Sequence, residues 1–173
     1  MTHAADKPMA IRLTTDADAP AIDAILQEAF GGAGEAELVT QLRRESDLVM
    51  ELVAECGAGI KGCIAFPRLH IETNGRVTNA VALAPLAVAK RSQGQGIGGA
   101  LVKEGCIRLA DQDASIVFVL GEPGYYGRFG FRTELATRFT SPYSGPYFMA
   151  RALGANVPVS GTVRYPAAFG GLR

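Results

Sequence analysis

The stretch RSQGQGIGGALV, residues 91–102, decides how this chain is read. Four glycines fall within six residues: Gly94, Gly96, Gly98 and Gly99. The apolar run Ala80–Ala89 precedes them and a helix-like segment follows. A strand, a glycine turn and a helix in that order aim unsatisfied backbone N–H groups and the positive end of a helix dipole at one spot, which suits a phosphate. Glycine lets the backbone approach that phosphate and take up positive φ.

Several ligands use such turns, and the spacing separates them. A nucleotide P-loop needs G-x-x-x-x-G-K-[S/T]; Gly94 and Gly99 have the spacing, but Ala100 stands where the lysine should be. Gly94, Gly96 and Gly99 formally satisfy the dinucleotide pattern G-x-G-x-x-G, with Glu122 about twenty residues further on. Two features oppose it. Ala89 to Gln93 separate the glycines from the strand, and about fifty residues after Leu120 are too few for the remaining crossovers of a doubly wound sheet. A purely structural reading also stands, in which the glycines serve a tight turn and close packing of the small-residue stripe Leu101, Val102, Gly105, Cys106, Leu109 and Ala110.

Outward from the turn, the pattern is mixed. Met9 to Leu13 reads as a short strand. Asp18 with Pro20 behind it marks a helix start, and Ile22, Ile25, Leu26, Ala29 and Phe30 repeat as on an amphipathic helix. Gly31, Gly32 and Gly34 end it, and Glu35 to Ser46 reads as a second, charged helix. Leu48 to Ala54 and Ile60 to Phe66 are expected strands, with Pro67 interrupting the second before it resumes at Arg68 to Ile71. Asn74-Gly75 is a hairpin turn, and Val77 to Val88 is the return strand. Ser115 to Leu120 is a continuous apolar run, as in a strand buried on both faces. A helical turn near Tyr125-Tyr126 and two late strands, Phe129 to Thr133 and Tyr147 to Leu153, complete a mixed α/β sheet.

The bulk numbers exclude several classes. At 173 residues the chain fits one domain over 9–173, with residues 1–8 a loose tail. Seventeen basic and seventeen acidic residues cancel, so no global field draws in nucleic acid or an anionic membrane. Ala80–Ala89 is half a membrane span and contains Pro85. MTHAADKPMAIRL lacks a signal-peptide core, so a cytoplasmic location is expected. Cys56, Cys63 and Cys106 are scattered with no CxxC, as expected of free thiols with no metal site.

Val88 to Gly98, VAKRSQGQGIG, resembles the acyl-coenzyme A signature [Q/R]-x-x-G-x-[G/A] of the GNAT superfamily of N-acetyltransferases. Gln93, Gly96 and Gly98 take its first, fourth and sixth positions, LAPLAV (Leu83 to Val88) precedes it, and YYGRFGF (Tyr125 to Phe131) resembles the family's Y-x-x-x-G-F element. Lys90 departs from the family, many of whose members have proline there. The resemblance implies a central mixed, mostly antiparallel sheet with a bulged, splayed strand, flanked by about four helices. A bulge also accounts for Pro85, which cannot donate to a ladder. Acetyl-CoA is the implied co-substrate, its pyrophosphate on the amides of Gln93, Gly94, Gln95, Gly96, Ile97 and Gly98, and its pantetheine arm on the main chain of Leu86, Ala87 and Val88.

The implied reaction is direct acetyl transfer to an amine. A lysine-type amine has a pKa near 10.4, so only about one in two thousand is neutral at pH 7. The oxyanion needs a donor, such as the Val88 N–H, and the departing thiolate needs a proton. Tyr126, five residues before Phe131, is the expected proton donor; the alternative is that it only packs. No base stands out: Glu122, Glu35 and Glu37 are placed for it, yet solvated carboxylates would look the same. A covalent cysteine route needs a Cys–His pair. Cys63 and His70, flanking Pro67, give no such signal. The alternative function is a non-catalytic acyl-CoA sensor or interaction module. The acceptor, a small-molecule or peptide amine, is expected between Phe30 to Glu35 and Ser141 to Phe148, against Tyr143, Tyr147 and Phe148. The tail Val157 to Arg173 is expected to add an edge strand or a homodimer contact.

Overall fold

The computed structural model describes residues 9–57 and 59–171, so the expected loose tail at 1–8 lies outside it. Strand β1 (Ala10–Leu13) opens the chain. Helices α1 (Ala19–Phe30) and α2 (Gly34–Arg44) follow, joined by the glycines that end α1 in a left-handed residue at Gly31. Asp18 precedes α1 but does not cap it. Its carboxylate accepts from the Arg12 guanidinium at 2.7 and 2.9 Å and from the Thr15 amide at 2.7 Å, so a charged donor has taken the cap's place.

Strands β2 (Leu48–Cys56) and β3 (Gly59–Thr73) form an antiparallel pair. Pro67 does not interrupt β3, contrary to the sequence expectation. It stands where the strand exchanges neighbours: Gly62–Ile64 pair with β5 (Leu86–Val88), while Arg68–Thr73 pair with β4 (Arg76–Leu83). A residue without an N–H is tolerated at such a handover, and the next amide, Arg68, donates to Asp47 at 2.7 Å. The Asn74-Gly75 turn has φ of 50° and 78°, the two positive values its hairpin requires.

The expected single return strand is two. β4 ends at Leu83, β5 begins at Leu86, and Ala84-Pro85 lie between them. Arg68 faces Val81 but Ile64 faces Leu86, one residue further along than an unbroken register would bring it. This is the one-residue insertion of a β-bulge, and it absorbs the missing Pro85 N–H. β4 then pairs in parallel with β6 (Ile116–Leu120), whereas β5 pairs with β3 alone. The strands part at this point, leaving one edge of β5 open.

β6 alternates as a doubly buried strand should: Val117 and Val119 face α3 (Ile97–Ala110), and Ile116 and Phe118 face the opposite core. α1 and α2 cover the other face of β2, β3 and β5 through Ile22, Ile25, Val39, Val53, Cys63 and Ala65. Residues 129–133 are not a strand. A helical turn, α4 (Pro123–Tyr126), runs into a 3-10 turn, and Arg132 makes one isolated bridge to Ala150 before α5 (Thr133–Ala136). Gly130 at φ +85° reverses the chain there and breaks any extended run. β7 (Phe139–Thr140), β8 (Phe148–Ala152) and β9 (Gly161–Arg164) finish the sheet, β9 lying against both β3 and β7. The tail therefore supplies an inner strand of the split sheet. No helix among the described residues is long and apolar enough to cross a membrane.

Candidate active site

The site begins with the broken strand. Ala89 donates to Lys61 and Pro85 accepts from Ala65, so Ala87 shares the β3-facing positions of this antiparallel ladder. Alternation turns the main-chain groups of Leu86 and Val88 toward the open edge. There the Gln93 side-chain amide donates to the Val88 carbonyl at 3.1 Å, tying the glycine loop to the strand end.

The loop then turns through two left-handed residues, Gly94 at φ +77° and Gly96 at φ +82°, and α3 starts at Ile97. Ala100 is the first amide to reach back, donating to Gly96. The amides of Gly94 to Gly99 meet no acceptor among the described residues. Gly98 and Gly99 serve another purpose. A Cβ on Gly98 would come 2.7 Å from the Tyr125 hydroxyl, and one on Gly99 would meet the Phe129 ring at 3.0 Å. The left-handed turn and the close packing therefore fall to different glycines within one loop.

These residues line a cleft of about 690 Å3. Leu86, Ala87, Val88, Gln93, Gly94, Gly96, Ile97 and Gly98 all face it; Gln95 does not. Ser92, Lys103, Arg128 and Phe129, which sequence reasoning missed, line it too. Arg128 stacks 4.9 Å from the Tyr125 ring centre, and Lys103 lies 5.9 Å from that of Phe129. Helical spacing holds the signal for Lys103, one turn beyond Gly99 and Ala100. Two cations and the free amides of Gly94, Gly96, Ile97, Gly98 and Gly99 make the cleft a receptor for anions.

Leu86 also lines a second, apolar chamber of about 450 Å3, with Ala82 to Pro85, Phe118, Leu120 and Tyr126. Tyr126 lies across Gly121, with its ring edge-on to Tyr125 at 5.0 Å and to Phe131 at 5.7 Å. Burial, with Tyr125 adding to it, pushes the Tyr126 hydroxyl up to about 12. Tyr125 faces the cleft and Tyr126 the chamber, so the adjacent tyrosines stand on either side of the junction.

Of the expected acceptor wall, Phe30, Glu35 and Tyr143 line the chamber. Tyr147 is exposed and Phe148 is buried in stacking on Phe118, so neither forms the wall. Tyr165 and Phe169 take their place, residues that no local pattern marks because they arrive from the far end of the chain. Among the candidate bases Glu35 faces the chamber, while Glu37 lines a separate groove between α1 and α2 and Glu122 is exposed before α4. Cys63 and His70 are seven residues apart along the extended β3, roughly 23 Å. Burial pushes the Cys63 thiol up to about 12, and the two do not meet.

The model for the acetyltransferase (GNAT) domain matches residues 10–133. The uncharacterized N-acetyltransferase YhbS of Escherichia coli K12 is 40% identical over 129 residues, 74% of this chain and 75% of YhbS. YjhQ of the same organism, also an uncharacterized N-acetyltransferase, is 33% identical over 78% of this chain and 76% of its own. The crystal structure of YhbS in complex with CoA superposes with a TM-score of 0.87 at 33% identity, covering 98% of this chain and 96% of that one. A Brucella melitensis GNAT acetyltransferase in complex with acetyl-CoA gives 0.79 at 35% identity, covering 94% and 98%. A family match over most of the chain, with relatives 33–40% identical over about three quarters of it, leaves one assignment: this chain belongs to the GNAT family of acetyltransferases.

Proposed function

We propose that this protein transfers the acetyl group of acetyl-CoA directly to an amine, with the thioester at Leu86 where cleft and chamber meet. That shared residue is the observation that carries the reading, because a reaction between two substrates needs two cavities with one point in common. The similar structures that hold CoA and acetyl-CoA support the identity of the first substrate.

The residues fit it. The amides of the loop from Gln93 to Gly98 hold the pyrophosphate at the α3 N-terminus, with Lys103 and Arg128 beside them. The open edge of Leu86 to Val88 extends the pantetheine arm as a further strand would, and the Val88 N–H donates to the thioester oxygen as it becomes an oxyanion. The amine nitrogen bonds to the acetyl carbon and the carbon–sulfur bond breaks. Nitrogen loses its extra proton to water, and the departing thiolate, held by a hydrogen bond from the Tyr126 hydroxyl, takes a proton from solvent.

Tyr126, at about 12, is a weak acid beside an alkyl thiol near 8.5, a gap of roughly 5 kcal/mol in water. The dry site that raises the tyrosine also raises the thiolate. Tyr126 therefore acts chiefly by hydrogen bonding to sulfur as charge develops there. An acyl-CoA sensor would need the cleft but not the chamber. Calorimetry with CoA, together with thiol release from acetyl-CoA over an amine panel, tests the reading. Heat and release support it; heat without release for any amine indicates the sensor; no heat at millimolar CoA removes both.

A further inference from the structure

Beyond Leu86 the chamber wall is chemically uniform. Phe30, Leu38, Phe118, Tyr143, Tyr165 and Phe169 face it, and Glu35 is the one charged side chain among the described residues that line it. The rings of Tyr143, Tyr165 and Phe169 pack edge to face at 4.8 and 5.1 Å, and Ser141 hydrogen-bonds the Tyr165 hydroxyl. Glu35, half-buried in the first turn of α2, has no hydrogen bond or ion pair among the described residues.

One unpartnered carboxylate in an apolar wall sets three conditions on what enters. A single ammonium is matched by Glu35 through a charge-assisted hydrogen bond. A second positive charge would lose its water with no counter-charge to replace it. A carboxylate on the acceptor would meet no lysine or arginine in the wall and would be repelled by Glu35. The volume, about 450 Å3, is toward the small end of small-molecule sites.

Resting on the transfer reading above, we infer that the acceptor is a small primary amine that bears one aryl or branched-alkyl group and no carboxylate. Glu35 takes up its ammonium on entry, the nitrogen then gives a proton to water and attacks as the neutral amine, and the Phe30–Tyr143–Tyr165–Phe169 wall holds its apolar body.

Thiol release by the full chain, measured with 2-phenylethylamine, 3-methylbutylamine, phenylalanine, spermidine and a short peptide beginning in leucine, decides the matter. The first two are expected to exceed the others in kcat/KM by roughly tenfold or more, the cost of leaving a charge unpaired. Glu35→Gln is expected to raise the KM for 2-phenylethylamine roughly ten- to hundredfold while the acetyl-CoA KM stays in place. Phe30→Ala, at a half-exposed position that tolerates truncation, is expected to raise the KM for 2-phenylethylamine more than that for methylamine. Preference for spermidine, phenylalanine or the peptide overturns the acceptor class and leaves the transfer reading standing, as does a KM indifferent to Glu35→Gln. Release with none of the acceptors overturns both, and a CoA titration then shows whether the cleft survives as a binding site.

Discussion

Tyr126 owes its position to a residue with no side chain. A Cβ on Gly121 would clash with the edge of the Tyr126 ring, so the tyrosine can lie across the end of β6 only because glycine is there. The sequence marks Tyr126 through its spacing to Phe131, but nothing in it marks Gly121, whose role is a contact made after folding. Removing the hydroxyl while keeping the ring isolates the chemistry. Tyr126→Phe is expected to lower kcat roughly tenfold to a thousandfold, in the range of general acid–base effects, with the acetyl-CoA KM little changed. Because burial keeps this hydroxyl protonated to near pH 12, wild-type kcat should keep rising with pH as the amine deprotonates, with no tyrosine-linked decline below pH 10. A decline with a midpoint below pH 10 that vanishes in the Phe variant would place the tyrosine near its ordinary pKa and remove the buried-donor account.

At the scale of elements, the site depends on a bulge followed by a glycine turn. Pro85 marked a misfit in the expected return strand, since a residue without an N–H cannot donate to a ladder, and the family resemblance implied the bulge that accommodates it. Where the strand broke was not legible, because the one-residue slip arises from β3 exchanging partners at Pro67. The glycine turn ahead of a helix was legible, and the structure separates its residues by conformation and packing. Gly96 has open space around its missing Cβ and φ of +82°, so a side chain there would cost backbone strain without a clash. Gly96→Ala is expected to weaken CoA binding by about 1–2 kcal/mol, the penalty of a left-handed L-residue, with the melting temperature lowered in step. Calorimetry and thermal unfolding on the same variant check both. Unaltered CoA affinity would show that the amides of this turn do not hold the phosphates.

For the whole molecule, charge ties the first strand to the first helix. The Asp18 carboxylate is held well below the usual carboxylate range, chiefly by hydrogen bonds from Arg12 and also by the Thr15 amide, and Arg12 reaches Glu55 at 2.9 Å as well. A carboxylate with a lowered folded pKa contributes stability above its unfolded value near 4 and loses it as pH falls. Tyr126 and Tyr165, raised chiefly by burial, contribute in the opposite sense: their stabilisation is present below pH 10 and is lost as pH rises above it. Denaturant unfolding from pH 7 to pH 2 is expected to show a steeper acid loss for wild type than for Asp18→Asn; equal slopes would mean the pair is not coupled to folding. By itself the sequence determined the amphipathic first helix, the hairpin, the doubly buried strand and the glycine turn ahead of α3, because each is written in spacings of a few residues that set backbone conformation directly. Only the tertiary structure decided that β9 enters the sheet, that Tyr165 and Phe169 wall the chamber, that Glu35 faces it unpartnered, and that Cys63 and His70 never meet. Those outcomes follow from contacts between segments tens of residues apart, and local patterns carry no information about such contacts until the chain has packed.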